Sequence, residues 1–158
     1  MSGSATPAAG EVVIGVDGSP QSRQALRWGA HLALVYGAPI TVVTAWELPI
    51  TYGYGTPLPS WNPADDMRQV QDDAIAGVFG DDPPKDLGRV LEPGNAAHVL
   101  LEASVGSLML VVGSRGHGGF AGLLLGSVSA VVAEHAKCPV LIVHGDHTPP
   151  EPTEAHRE

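Results

Sequence analysis

Leu108-Met109-Leu110-Val111-Val112-Gly113-Ser114-Arg115-Gly116 decides the fold, because an unbroken aliphatic run here ends on a glycine-rich turn. A strand with one face in water alternates apolar and polar residues. A continuous run fits a strand buried on both faces. Further on, Gly126-Ser127 opens a helical stretch to about Ala136, and Pro139-Val140-Leu141-Ile142-Val143 reads as a second buried strand. Strand, loop, helix, strand is the repeating unit of a parallel sheet, because parallel neighbours need a long crossover.

The same alternation extends toward the N-terminus. Glu11-Val12-Val13-Ile14-Gly15-Val16 is a β-branched run that stops at the turn signal Asp17-Gly18. Ser19-Pro20 supplies an N-cap and a first-turn proline for a helix reaching Tyr36. Ala25, Trp28 or Gly29, Leu32 and Val35 or Tyr36 form its expected inner face, and Gly37 ends it. Pro39 to Trp46 is the second strand, and Glu47 to Pro63, with four prolines, is a long loop of the kind that forms lids or mobile segments. Ala64 to about Gly80 is a weaker helix, and Leu87 to Leu91 is a poor third strand. Asn95 caps a helix from Ala96 to about Val105. The expectation is a single α/β domain over 11–144: an open parallel sheet with helices on both faces. Residues 1–10 are an expected flexible tail, and 145–158 an expected disordered, acidic one. In such sheets ligands bind beyond the strand C-terminal ends, which singles out Asp17-Gly18-Ser19 and Gly113-Ser114-Arg115-Gly116.

Charge removes whole classes of partner. The 158 residues carry 8 Lys plus Arg against 17 Asp plus Glu, a formal charge of −9. Such a chain gains nothing from displacing the counterions of nucleic acid or from an anionic bilayer, so neither is an expected partner. No aliphatic stretch approaches the roughly 20 residues of a spanning helix. The first ten residues lack the basic start and apolar centre of a signal peptide, and a single cysteine, Cys138, forms no intrachain disulfide. A cytoplasmic location is expected.

Residues 113–129 carry most of the functional signal. Gly113 and Gly116 let the backbone turn sharply and present N–H groups unobstructed. Gly126 and Ser127 stand at a helix start, where unpaired N–H groups and the positive dipole end suit a phosphate, and Arg115 adds a cation. A plain strand-to-helix turn is also built from glycines; position after the strongest strand and the hydroxyl at the helix start favour the phosphate. A Walker loop is excluded, because Gly118 is followed by Gly119 and Phe120. A dinucleotide fingerprint forced onto Gly116, Gly118 and Ala121 lacks its ribose-binding acid, and no Gly-x-Ser-x-Gly elbow occurs.

With Gly113-x2-Gly116-x9-Gly126-Ser127 in place, the chain resembles the universal stress protein family, in its ATP-binding branch. Val13 to Ser19 is similar to that family's opening strand and turn, and Cys138 to Val143 to its closing strand. The resemblance spans about residues 11–144. It implies a five-stranded parallel sheet of order 3-2-1-4-5 and a homodimer through the last strand, Pro139 to Val143. It also implies an ATP site, with Mg²⁺ accompanying the nucleotide. Carried over, Gly113 lies by the ribose and α-phosphate. Gly116, Gly126 and Ser127 hold the phosphates, Asp17 serves the adenosine end, and the backbone near Val43 meets adenine. The chain departs from many relatives at Ser107, where an Asp is common, and the stretch from Trp46 to Pro63 matches no family pattern.

Asp17 must satisfy electrostatics beside a polyphosphate. Two unit charges of like sign about 4 Å apart repel by about 4 kcal/mol at an effective dielectric near 20. Asp17 is therefore expected to accept from ribose or base, or to reach the phosphates through Mg²⁺; a turn-and-cap role alone is the plainer alternative. Ser129 either joins the phosphate site or caps the helix. His117 reaches a phosphate or is a solvated loop residue. His144-x2-His147 offers too few ligands for zinc, and Cys138 reads as packing. Without a Walker lysine or a carboxylate placed to orient water, binding with slow or negligible hydrolysis is expected. An AMP or cyclic AMP binding module and a slow ATPase are the alternatives.

Overall fold

The computed structural model describes residues 10–47, 62–116 and 125–150. Most of the expected loop from Glu47 to Pro63, the segment 117–124 with His117 and Phe120, residues 1–9 and residues 151–158 lie outside the described residues. Nine elements follow in chain order: β1 Val12–Gly15, α1 Pro20–Tyr36, β2 Ile40–Trp46, α2 Pro63–Phe79, β3 Gly88–Pro93, α3 Ala96–Ala103, β4 Met109–Gly113, α4 Ser127–His135 and β5 Val140–Val143. All strand pairs are parallel, and the sheet order is β3-β2-β1-β4-β5.

Local signals set the helix ends. The Ser19 side chain accepts from the Ser22 N–H at 3.2 Å, Asn62 from Ala64 and Asn95 from His98. Gly37 closes α1 with φ of +65°, a conformation only glycine adopts without strain. Ser107 donates its hydroxyl to the Ser104 carbonyl at 2.8 Å in the turn before β4.

Two apolar layers sandwich the sheet. On one face, Val12, Ile14 and Val42 pack with Ala25, Leu26 and Ala33 of α1 and Ala74 and Ile75 of α2. On the other, Val13, Val43, Leu110 and Val112 meet Val99 and Leu100 of α3 and Val132 of α4. The strands β1 and β4 are buried on both faces, which is why they read as continuous aliphatic runs.

The inner face of α1 differs from expectation at its end. Ser22, Ala25, Leu26, Gly29 and Ala33 are buried, whereas Val35 and Tyr36 are each 60% exposed. Length explains this: a 17-residue helix is about 25 Å long, against about 13 Å for the four residues of β1. The last turn overhangs the sheet. Gly29 brings the helix close, since a Cβ there would stand 2.3 Å from Ile14 Cδ1.

β3 runs to Pro93, two residues past its expected end, and Gly94 N–H donates to the Trp46 carbonyl at 2.8 Å. Beyond β5, the expected disordered tail begins against the body: the Trp28 indole N–H donates to the His147 carbonyl at 2.9 Å. Among the described residues no helix is long and apolar enough to cross a membrane. In this order the chain leaves β1 toward β2 on one side, while β4 flanks β1 on the other. The crest between β1 and β4 is therefore the point where the winding reverses.

Candidate functional site

A cavity of about 790 Å³ opens at that crest. Its walls include Asp17, Val43, Gly113, Arg115, Gly116, Gly126, Ser127 and Ser129. The eight residues singled out from the sequence thus converge on one space, although their separation along the chain exceeds a hundred positions.

Ser114 closes the neck of the glycine loop. Its N–H donates to the Val143 carbonyl at 2.8 Å, and its own carbonyl accepts from Gly126 N–H at 2.7 Å and Ser129 Oγ at 2.8 Å. One peptide thereby ties the end of β4 to the end of β5 and to the start of α4. Ser129 is 3% exposed, and its hydroxyl also lies 3.1 Å from the Gly126 carbonyl. These contacts anchor the start of α4, and Ser129 also lines the cavity.

α4 starts differently from the other three helices. Its N-cap is Gly126, which has no side chain to bond the first turn, while Ser19, Asn62 and Asn95 cap α1, α2 and α3. Among the described residues the N–H groups of Ser127, Val128 and Ser129 have no side-chain cap, and they stand at the positive end of the helix dipole. Gly126 N–H itself is taken by Ser114, so this residue contributes space rather than a donor. A Cβ on Gly126 would stand 3.5 Å from Arg115 Cα and 3.7 Å from Gly116 N.

Asp17 meets the glycine loop at the cavity wall. Its Oδ1 accepts from Ser19 N–H at 2.9 Å, a local turn of the Asx kind. Its N–H donates to Ser22 Oγ at 3.3 Å, and that hydroxyl donates onward to the Ser19 carbonyl. The other carboxylate oxygen lies against Gly116, where a Cβ would come within 2.5 Å of Oδ2. A turn role and a place in the cavity wall therefore coexist in this residue.

Two expectations shift in detail. Gly113 lines the cavity, yet its missing Cβ is required by packing: it would stand 2.8 Å from the backbone carbonyl carbon of Gln21. Val43 also lines the cavity, but its carbonyl already accepts from Val16 N–H at 3.0 Å inside the sheet. Successive residues of a strand direct their backbone groups to alternate sides, so Ala45 faces the same side as Val43, past the end of β1. Ala45 lines the cavity as well, two positions beyond Val43. Met67 and Val70 of α2 line the same space and supply an apolar wall. The sequence signal for them was the helix itself, whose register against the sheet is set by Gln71.

Comparison with known proteins agrees with this architecture. The sequence profile described as "Universal stress protein family" matches residues 10–144. The chain belongs to the universal stress protein family. A universal stress protein of Mycobacterium tuberculosis is 34% identical over 153 residues, covering 91% of this chain and 51% of the relative. One from Mycolicibacterium smegmatis is 32% identical over 142 residues, 85% of this chain and 48% of the relative. The chain thus spans about half the length of these curated relatives. Among solved structures, a universal stress protein in complex with cAMP is 32% identical, with a TM-score of 0.59 over 86% of this chain and 97% of that one. An Archaeoglobus fulgidus protein in complex with dAMP, at 20% identity and TM-score 0.60 over 85% of this chain and 97% of that one, shares the fold.

The two glycines that share the cavity should behave oppositely in stability measurements. Gly113→Ala forces a methyl group onto the α1 backbone and is expected to destabilise the domain by about 1–3 kcal/mol. Gly126→Ala, with φ of −73° and ordinary contacts, should cost under about 1 kcal/mol, chiefly through the poorer cap. Urea unfolding of both variants checks this; equal losses would contradict the packing assigned to Gly113.

Proposed function

We propose that this chain binds an adenine nucleotide in the crest cavity, with ATP as the ligand, and works as a nucleotide-dependent regulatory module. The observation that carries the reading is the start of α4 without a side-chain cap, lining with Asp17 and Gly116 a space of nucleotide size. The phosphates would lie on the N–H groups from Ser127 onward, with Arg115 adding charge and Gly116 and Gly126 leaving room for close approach. Asp17 would face the ribose, and the Ala45 backbone with Met67 and Val70 would receive the base.

The residues fit a nucleotide-borne Mg²⁺ better than a protein-held one. Among the described residues no group of three His, Cys, Asp or Glu converges to hold a metal. Asp17 alone can meet a cation whose remaining ligands are phosphate oxygens and water, the usual coordination of Mg²⁺ with nucleotides. Among the described residues Asp17 is the one carboxylate that lines the cavity, and no lysine lines it, so we assign binding with little or no turnover. Product exceeding protein in a sustained assay would overturn that assignment.

A second reading, AMP or cyclic AMP as ligand, draws on the cAMP complex of the 32% identical neighbour. The dimer proposed for this chain uses β5, Val140–Val143, which pairs with β4 on one side and forms an edge of the sheet. An unpaired edge is a template for a second copy. Sedimentation at micromolar concentration should give the mass of two chains; a single-chain mass would exclude it. We place the protein in the cytoplasm.

Calorimetric titration with MgATP, AMP and cyclic AMP tests the ligand. Micromolar binding near one ATP per chain is expected, weakened by loss of the β- and γ-phosphates. Ser127→Ala should weaken ATP more than cyclic AMP, which has one phosphate. Tighter binding of a monophosphate would move that ligand to first place, and absence of binding by nucleotide-free protein would reduce the loop to a turn.

A further inference from the structure

A polar pair lies in the apolar layer between α2 and the sheet. Thr44 of β2 is 1% exposed and Gln71 of α2 is 2% exposed. Gln71 Nε2 donates to Thr44 Oγ1 at 3.0 Å and to the Val90 carbonyl at 2.9 Å, and Thr44 Oγ1 donates to the Val16 carbonyl at 2.8 Å. A hydroxyl has one proton to give. With an amide N–H directed at its oxygen, that proton is committed to Val16. Apolar residues at 44 and 71 would fill the same space without needing any partner, so packing alone gives no account of the pair.

The consequence falls at the end of the β1–β2 ladder. Gly15 stands opposite Val43, and Val16 N–H donates to the Val43 carbonyl. The next bond of a parallel ladder would run from Ala45 N–H to the Val16 carbonyl. Among the described residues that carbonyl is held by the Thr44 hydroxyl instead. The Val16–Asp17 connection is thereby fixed from both sides, since Asp17 N–H meets Ser22 Oγ.

We propose that Thr44, held by Gln71, is a positioning residue for base recognition: it ends the ladder one bond early and leaves the N–H and carbonyl of Ala45 to the edge of an adenine. This inference rests on the adenine-nucleotide reading above. Adenine presents an amino donor where guanine presents a carbonyl acceptor, so a backbone donor–acceptor pair accepts one and opposes the other. Loss of the Thr44 hydroxyl releases the Val16 carbonyl, which then recruits Ala45 N–H into the sheet.

The test is titration of the full chain and of Thr44→Val and Thr44→Ser with MgATP and MgGTP. The wild-type chain should prefer ATP by about tenfold or more, the worth of one well-made polar contact. Thr44→Val should bring the two affinities within about twofold of each other, and Thr44→Ser, which keeps the hydroxyl, should retain the preference. A merely structural role would lower both affinities together and leave their ratio intact, which overturns the proposal. So does a wild-type chain that binds both equally. Binding of neither ligand by the wild type overturns the nucleotide reading and this inference with it, whereas ATP binding with an unmoved ratio overturns this inference alone. Amide exchange of the wild type gives an independent check, needing no variant to fold. Ala45 N–H should exchange faster than Val43 N–H in the free protein and slow on adding ATP; equal protection in the free protein contradicts the proposal.

Discussion

The Ser114 peptide joins the end of β4 to its surroundings in three directions: N–H to Val143, carbonyl to Gly126 N–H and to Ser129 Oγ. The rest of the site depends on that junction. It fixes where α4 begins relative to β4, and so which N–H groups of the first turn open onto the crest. It also explains the division of labour in the Gly126-Ser127-Val128-Ser129 run. The first and last of these residues close the neck, and among the described residues the N–H groups of Ser127 and Val128 have no side-chain cap.

A second constraint acts from α1. Gly29 lets the helix approach Ile14, and Gly113 lets the end of β4 approach Gln21. These contacts hold the first turn of α1 beside the glycine loop, where Asp17 and Gly116 meet. The carboxylate of Asp17 is held in part by its own turn, through Ser19 N–H. Local turn chemistry and long-range packing therefore converge on the same residue.

Much of this was legible in the sequence because it rests on local signals. Ser19, Asn95 and Gly37 bound their helices as their chemistry requires, and the aliphatic runs of β1 and β4 marked strands buried on both faces. The convergence of Asp17 with the Gly113–Ser129 region followed from the rule that open parallel sheets bind at strand C-terminal ends. What was not legible depends on partners far along the chain. The exposure of Val35 and Tyr36 is set by the length of the strands beneath them, which helical periodicity does not contain. That Ala45 lines the cavity was not legible, because the end of a ladder depends on where its neighbour stops. Gln71 left a faint trace, a polar residue in register with Ala74 and Ile75 on the buried face of α2; only the fold names its partners. The hydrogen bond from Ser129 was not legible, because its acceptor, the Ser114 carbonyl, comes from the end of another element.

The central claim is that the uncapped first turn of α4 receives the phosphates of a nucleotide. Backbone amide chemical shifts of isotope-labelled protein, recorded as MgATP is added, test it most directly. Large shifts are expected at Ser127 and Val128, with little change at Ala64 and His98, whose N–H groups are capped by Asn62 and Asn95. Saturable ATP binding that leaves the Ser127 and Val128 amides unmoved would contradict the account.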